Sequence, residues 1–151
     1  MAANIDPIYG RTADIQVGGS VLGPTAVTAQ DGTGATPIIF MADATEGGYV
    51  DRVVLKSVGS PAATVARVFF CTSTVASGSF TPGTTNTAAN TAMLAEASMA
   101  AVTTSNVVGQ NDVVIPIRMP IPAGMKLLLG FGTSTGAAGT GYAVVTIGTK
   151  Y

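Results

Sequence analysis

The chain has 151 residues and a formal net charge of −1, from seven Lys plus Arg against eight Asp plus Glu. That length suits one domain, and with neither sign dominant there is no electrostatic case for nucleic acid or an anionic membrane as partner. Charged residues make up only 10%, well below the quarter or so of an ordinary globular chain. A surface so thin in charge is expected to be covered in part by a partner or by further copies of the chain.

Residues 1 to 13 open with MAANIDPIYGR and show no period, so they are expected to form an extended N-terminal arm ahead of a single domain spanning 14–151. This start lacks a basic run and an apolar core, and no signal peptide is expected. Gly, Pro and charges interrupt every apolar run before the ~18 residues of a spanning helix, which predicts a soluble chain made in a cytoplasm.

Asp14 to Val17 reads as a short strand closed by Gly18 and Gly19, and Val21 to Ala29 as a weaker one broken at Gly23-Pro24. DGTG at Asp31 to Gly34 is a turn signal between two β-type segments. PIIFMA, Pro37 to Ala42, is a continuous apolar strand, followed by a loop from Asp43 to Gly48. Tyr49 to Val58 alternates, with Val53 and Leu55 on one parity and Arg52 and Lys56 on the other. In Thr64 to Thr72 both parities are largely apolar, which places that strand at the centre of a sandwich or under another subunit.

A long, small and polar loop covers 73–90. Thr91 to Val102 is ambiguous. Its alanines and Asn90 as a cap favour a helix, while its alternation and its β neighbours favour a strand, and a strand is expected. The stretch DVVIPIRMPIPAGMKLLLGF, Asp112 to Phe131, holds the clearest pattern. Val113, Ile115, Ile117 and Met119 share one parity, and so do Met125, Leu127, Leu129 and Phe131. Pro122 and Gly124 set a turn between the two runs, and the whole is expected to be a β-hairpin. Pro116 cannot donate to a ladder, so its strand is expected at an edge or with a bulge. Thr133 to Thr140 is read as a flexible tip, and Gly141 to Ile147 as the closing strand. The fold class predicted is all-β, a single antiparallel β-sandwich of jelly-roll type with eight or nine short strands.

Candidate chemistry is sparse. Histidine and Trp are absent, which leaves no imidazole base, no Ser-His-Asp triad and no His-based metal site. Cys71 is alone, and behind Val68, Phe69 and Phe70 it reads as a buried, inert thiol. Asp31, Asp43, Glu46 and Asp51 match no cation-loop spacing and read as turn formers, and Asp51 and Arg52, adjacent in a strand, are expected on opposite faces. Gly130, Gly132 and Gly136 lack the spacing and the following helix of a dinucleotide fingerprint. Tyr9, Tyr49, Tyr142 and Tyr151 are dispersed, as strand and interface residues are. No enzyme activity, cofactor or metal is expected.

Several pieces in order carry a likeness to a known group: PIYGRTADIQ (Pro7 to Gln16), DGTG, VDRVVLKSVG (Val50 to Gly59), VARVFF (Val65 to Phe70), LAEASM (Leu94 to Met99), IPAGMKLLLGFGTS (Ile121 to Ser134) and the closing GTKY. On these the chain resembles the jelly-roll head decoration, or cement, proteins of tailed bacteriophages. The resemblance implies a non-enzymatic virion protein, made in the host cytoplasm and carried on the capsid surface. Its partner would be the major capsid protein, and it would be a homo-oligomer, a trimer by preference, at local three-fold positions. Ile8, Tyr9, Arg11 and Asp14 are then the expected contacts to capsid or to a neighbouring copy. The alternative is a tail-tip or fibre domain that binds a host surface glycan.

Overall fold

The computed structural model describes residues 10, 12–23, 25–33, 37–73, 86–105, 107 and 112–151. Among them there is no helix, and eight strands form: β1 (Thr12–Leu22), β2 (Ile38–Met41), β3 (Gly48–Val58), β4 (Thr64–Cys71), β5 (Thr91–Met99), β6 (Asp112–Ile121), β7 (Lys126–Phe131) and β8 (Gly141–Lys150). They make two four-stranded sheets, ordered β1-β8-β3-β6 and β2-β7-β4-β5. Every pairing is antiparallel. The chain is therefore an all-β sandwich, and the strand chosen for Thr91 onward is present as β5.

Alternation decides which residues meet between the sheets. Val50, Val53, Leu55, Ile115, Tyr142 and Val144 of the first sheet form one buried cluster with Phe40, Ala66, Val68, Leu127, Leu129 and Phe131 of the second. Burying each of the larger side chains contributes about 1.5–3 kcal/mol, and Phe131 adds a stacking contact with Tyr142, ring centroids 5.4 Å apart. The second sheet is apolar on its outer face as well. Ile38, Phe69, Cys71 and Leu128 form a smaller buried cluster there. Part of its cover is the β1–β2 connection: Val27 N–H donates to the Phe131 carbonyl at 2.7 Å, and a Cβ at Gly130 would lie 3.2 Å from Val27. Arg67 fastens this cover, with Nε 2.9 Å from Glu96 Oε1 on β5 and Nη1 3.4 Å from the Val27 carbonyl. The doubly apolar β4 is thus central in its sheet and covered by its own chain.

Several expectations are corrected. β6 and β7 do not form a hairpin. The turn after Ile121 is there, with Gly124 at φ 71° and Met125 N–H bonded to the Pro122 carbonyl at 3.1 Å, but it carries the chain from one sheet to the other. β1 is longer than Asp14 to Val17: it begins at Thr12 and runs through Gly18 and Gly19 to Leu22, absorbing them as register shifts against β8. Asp51 and Arg52 are not on opposite faces. The ladder slips between Val50 and Arg52 against both neighbours, and this bulge brings the two side chains into an ion pair at 2.5 Å. The segment read as a flexible tip is held at Thr135, which is fully buried. Its N–H donates to the Gly23 carbonyl, and its own carbonyl accepts from Ala62 N–H, both at 2.9 Å. Asn90 caps no helix; its Oδ1 accepts from Thr87 N–H at 2.9 Å. Pro116 does lie on an edge strand, β6, and a few residues on Arg118 takes φ 51°.

The two sheets are also joined at one edge by a side chain. Gln16 on β1 presents its amide to β2 as a peptide group would: Oε1 accepts from Met41 N–H at 2.8 Å and Nε2 donates to the Met41 carbonyl at 2.9 Å. Nε2 also reaches Asp14 Oδ2 at 2.8 Å.

Candidate functional site

Side chains directly opposite in a sheet share a face, so the registers can be read as rows. On the outer face of the first sheet one row is Val17–Val145–Val54–Val114, a valine from each of β1, β8, β3 and β6. The next is Ile15–Ile147–Arg52–Pro116. Val17 is 66% exposed, Ile15 63% and Val114 51%, and Val54, Val145 and Ile147 are half-buried. β-branched residues pack well on a pleated strand, but here they line a face that nothing among the described residues covers. A contiguous apolar patch of this kind marks an interaction surface far more often than scattered exposed residues do.

Charge frames the patch without crowding it. Arg52 pairs with Asp51, and Lys56 Nζ lies 3.2 Å from Asp112 Oδ1. Both pairs are exposed, so each contributes little to stability, but both signs are present and balanced. The free edge of this sheet at β6 is poorly suited to strand addition. Pro116 and Pro120 lack donors, and the left-handed Arg118 breaks the ladder. Contact is therefore offered by the face rather than the edge.

Of the residues expected to touch capsid, Ile8, Tyr9 and Arg11 lie outside the described residues. Asp14 is half-buried on β1 and accepts from Gln16, which ties it to the β1–β2 seam rather than to an exposed contact. Gly10 packs directly on Thr149, an outer-face residue of β8, where a side-chain carbon would collide. Gly10 thus meets the same outer face. The sequence reading missed Ile15, Val17, Val54, Val114, Val145 and Ile147. The alternation in each strand was a signal, but the registers that align them were not available.

The titratable side chains of the described residues are dispersed. Among the described residues no three His, Cys, Asp or Glu side chains gather to hold an ion. Asp31 and Asp43 turn their carboxylates onto local backbone: Asp31 Oδ1 accepts from Thr33 N–H at 2.9 Å, and Asp43 Oδ1 from Thr45 and Glu46 N–H at 2.8 and 3.1 Å. These bonds hold both carboxyls below the ordinary Asp range. Tyr142 is in the core, and Tyr49 and Tyr151 are half-buried. Cys71 is buried as expected. Comparison with models of known protein families, with curated proteins and with solved structures finds no match to this chain.

Proposed function

We propose that this chain is a structural virion protein that decorates and stabilises the assembled capsid of a tailed bacteriophage, seated through the outer face of its first sheet. The observation that carries the reading is the exposed valine row Val17–Val145–Val54–Val114 on a sheet whose free β6 edge is closed to strand addition. Four strands about 4.8 Å apart and about eight residues long give a face of roughly 500 Å² in projection. That is on the scale of the ~800 Å² of accessible surface each partner contributes to a standard interface. An apolar contact framed by few charges tolerates salt, because little of it depends on screened ion pairs.

The strand order β1-β8-β3-β6 against β2-β7-β4-β5 supports reading the sandwich as a jelly roll, with every connection except β4 to β5 passing between the sheets. The resemblance to decoration proteins gives the partner, the major capsid protein, and the homotrimeric state. Many identical weak contacts over a shell add through multivalency. The test is the copy number of this protein in purified virions against the major capsid protein, by quantitative mass spectrometry. Decoration predicts a ratio near one to one, or one trimer per local three-fold. A handful of copies per particle would transfer the protein to the tail and favour receptor binding, and complete absence would overturn the reading.

A further inference from the structure

The outer face of the second sheet hides a cation that the decoration role does not use. Another row of opposed residues runs Met41–Lys126–Cys71–Thr91 across β2, β7, β4 and β5. Lys126 is fully buried in it, and its Nζ has no hydrogen-bond partner among the described residues. Cys71 Sγ stands within hydrogen-bonding reach of Asn86 Oδ1 at 3.7 Å and accepts from Thr91 Oγ1 at 3.3 Å. The Nδ2 of that same Asn86, a buried residue, is a second donor with no partner among the described residues. Two orphaned N–H donors, one of them an ammonium, therefore flank a single side chain.

A buried ammonium with nothing to compensate it is strongly unfavourable, and an unpaired buried amide keeps the whole cost of its lost hydration. Native interiors leave few such groups without a partner. Among the described residues no Asp or Glu oxygen answers Lys126, whose neighbours in the row are a thioether, a thiol and a hydroxyl. We propose that a single halide-sized anion binds beside Cys71, held by Lys126 Nζ and Asn86 Nδ2. A monatomic anion suits the place because it accepts from every direction and needs little room. The ion would bind only the folded chain, where β7 and β4 bring Lys126 to Cys71 and the β4–β5 connection brings Asn86. It would therefore stabilise the fold in proportion to its concentration. The pKa of Cys71 agrees with positive charge nearby: burial opposes its thiolate, yet hydrogen bonds from Ser73 and Thr91 and the Lys126 charge hold the thiol below its ordinary value.

The experiment is thermal unfolding of the full chain, followed by circular dichroism at near-neutral pH, in sodium chloride, sodium bromide and sodium gluconate at equal ionic strength. Gluconate is too large for the place. The expected result is a midpoint about 8 °C higher in chloride and bromide than in gluconate, the size given by linkage at about a hundredfold saturation. Lys126→Met, which keeps the length and removes the charge, should abolish the difference while matching or exceeding the native protein in gluconate. Equal midpoints for the native chain in all three salts would overturn the proposal, leaving water or the Cys71 thiolate as what answers Lys126. A halide effect that survives Lys126→Met would overturn it too. Should that variant fail to fold, crystals of the native chain grown in bromide decide: an anomalous peak between Lys126 Nζ and Asn86 Nδ2 supports the site, and none there removes it.

Discussion

Gln16 offers the sharpest test of how the two sheets are held in register. Its amide closes a two-bond ring with one residue of β2, taking the Met41 N–H at 2.8 Å and giving to the Met41 carbonyl at 2.9 Å. β2 is a four-residue edge strand whose other neighbour is β7, so this side chain stands in for a missing strand. Gln16→Ala removes both bonds and leaves both backbone groups without a protein partner. At about 1 kcal/mol net for each bond, and with water able to reach a half-buried seam, the loss should be about 2 kcal/mol. For a chain of this size that lowers the melting midpoint by roughly 4–8 °C. Gln16→Glu is the informative control. It keeps an acceptor for the Met41 N–H, but sets an oxygen against the Met41 carbonyl and a second negative charge beside Asp14 Oδ2, 2.8 Å from Nε2 in the native chain. It should be at least as destabilising as Gln16→Ala at neutral pH, and should recover part of the loss in acid. Urea unfolding followed by far-UV circular dichroism, which needs no Trp, gives both values if the m-value is unchanged. A loss below about 0.5 kcal/mol for Gln16→Ala, the level of an ordinary surface change, would show that the bridge is incidental.

Other parts of the sandwich give their own tests. Phe131→Ala removes a core ring stacked on Tyr142 and should cost about 3–5 kcal/mol in urea unfolding; a loss under about 1 kcal/mol would mean the core closes over the gap. Tyr142 carries a buried hydroxyl with no partner among the described residues, and burial raises its pKa above the usual tyrosine value. The neutral phenol is thus favoured in the folded state, so its stabilising effect is whole below about pH 10 and is lost as the pH rises through the folded pKa. Tyr142→Phe should be neutral or stabilising at neutral pH and should flatten the alkaline fall in stability, measured as melting midpoint against pH. An unchanged alkaline fall would assign it to other groups. Gly124→Ala forces a side chain into φ 71° at the β6–β7 turn and should lower stability by about 1–2 kcal/mol; no effect would mean that the turn relaxes to another type.

The strands were legible because each carries its own period. Val113, Ile115 and Ile117 alternate with Asp112, Val114 and Pro116, and the structure buries or half-buries the first set and exposes the second. Pairing was not legible, because it is decided at long range. Pro122 and Gly124 make the same tight turn whether the next strand lies beside β6 or crosses to the other sheet, so nothing local separated a hairpin from a crossover. The bulge at Asp51 is likewise set by both neighbouring strands, and it put Asp51 and Arg52 together where simple alternation parts them. Nothing local marks Lys126 for burial, although it opens the almost wholly apolar run KLLLGF. Only the cover over the second sheet's outer face buries it. The candidate surface failed for the same reason. Val17, Val54, Val114 and Val145 are ordinary strand residues until two edge and two inner strands align them in one row.

The most direct measurement is cosedimentation of the purified protein with phage heads that lack it, comparing the native chain with the double variant Val17→Lys, Val114→Lys. Both valines are more than half exposed on edge strands, so the variant should keep its circular dichroism spectrum and its melting midpoint to within about 0.5 kcal/mol. The account predicts that the native protein saturates the heads at a fixed ratio and that the folded variant stays in the supernatant. A variant that binds as the native protein does would contradict the assignment of the contact to this face, and heads that bind neither would contradict decoration itself.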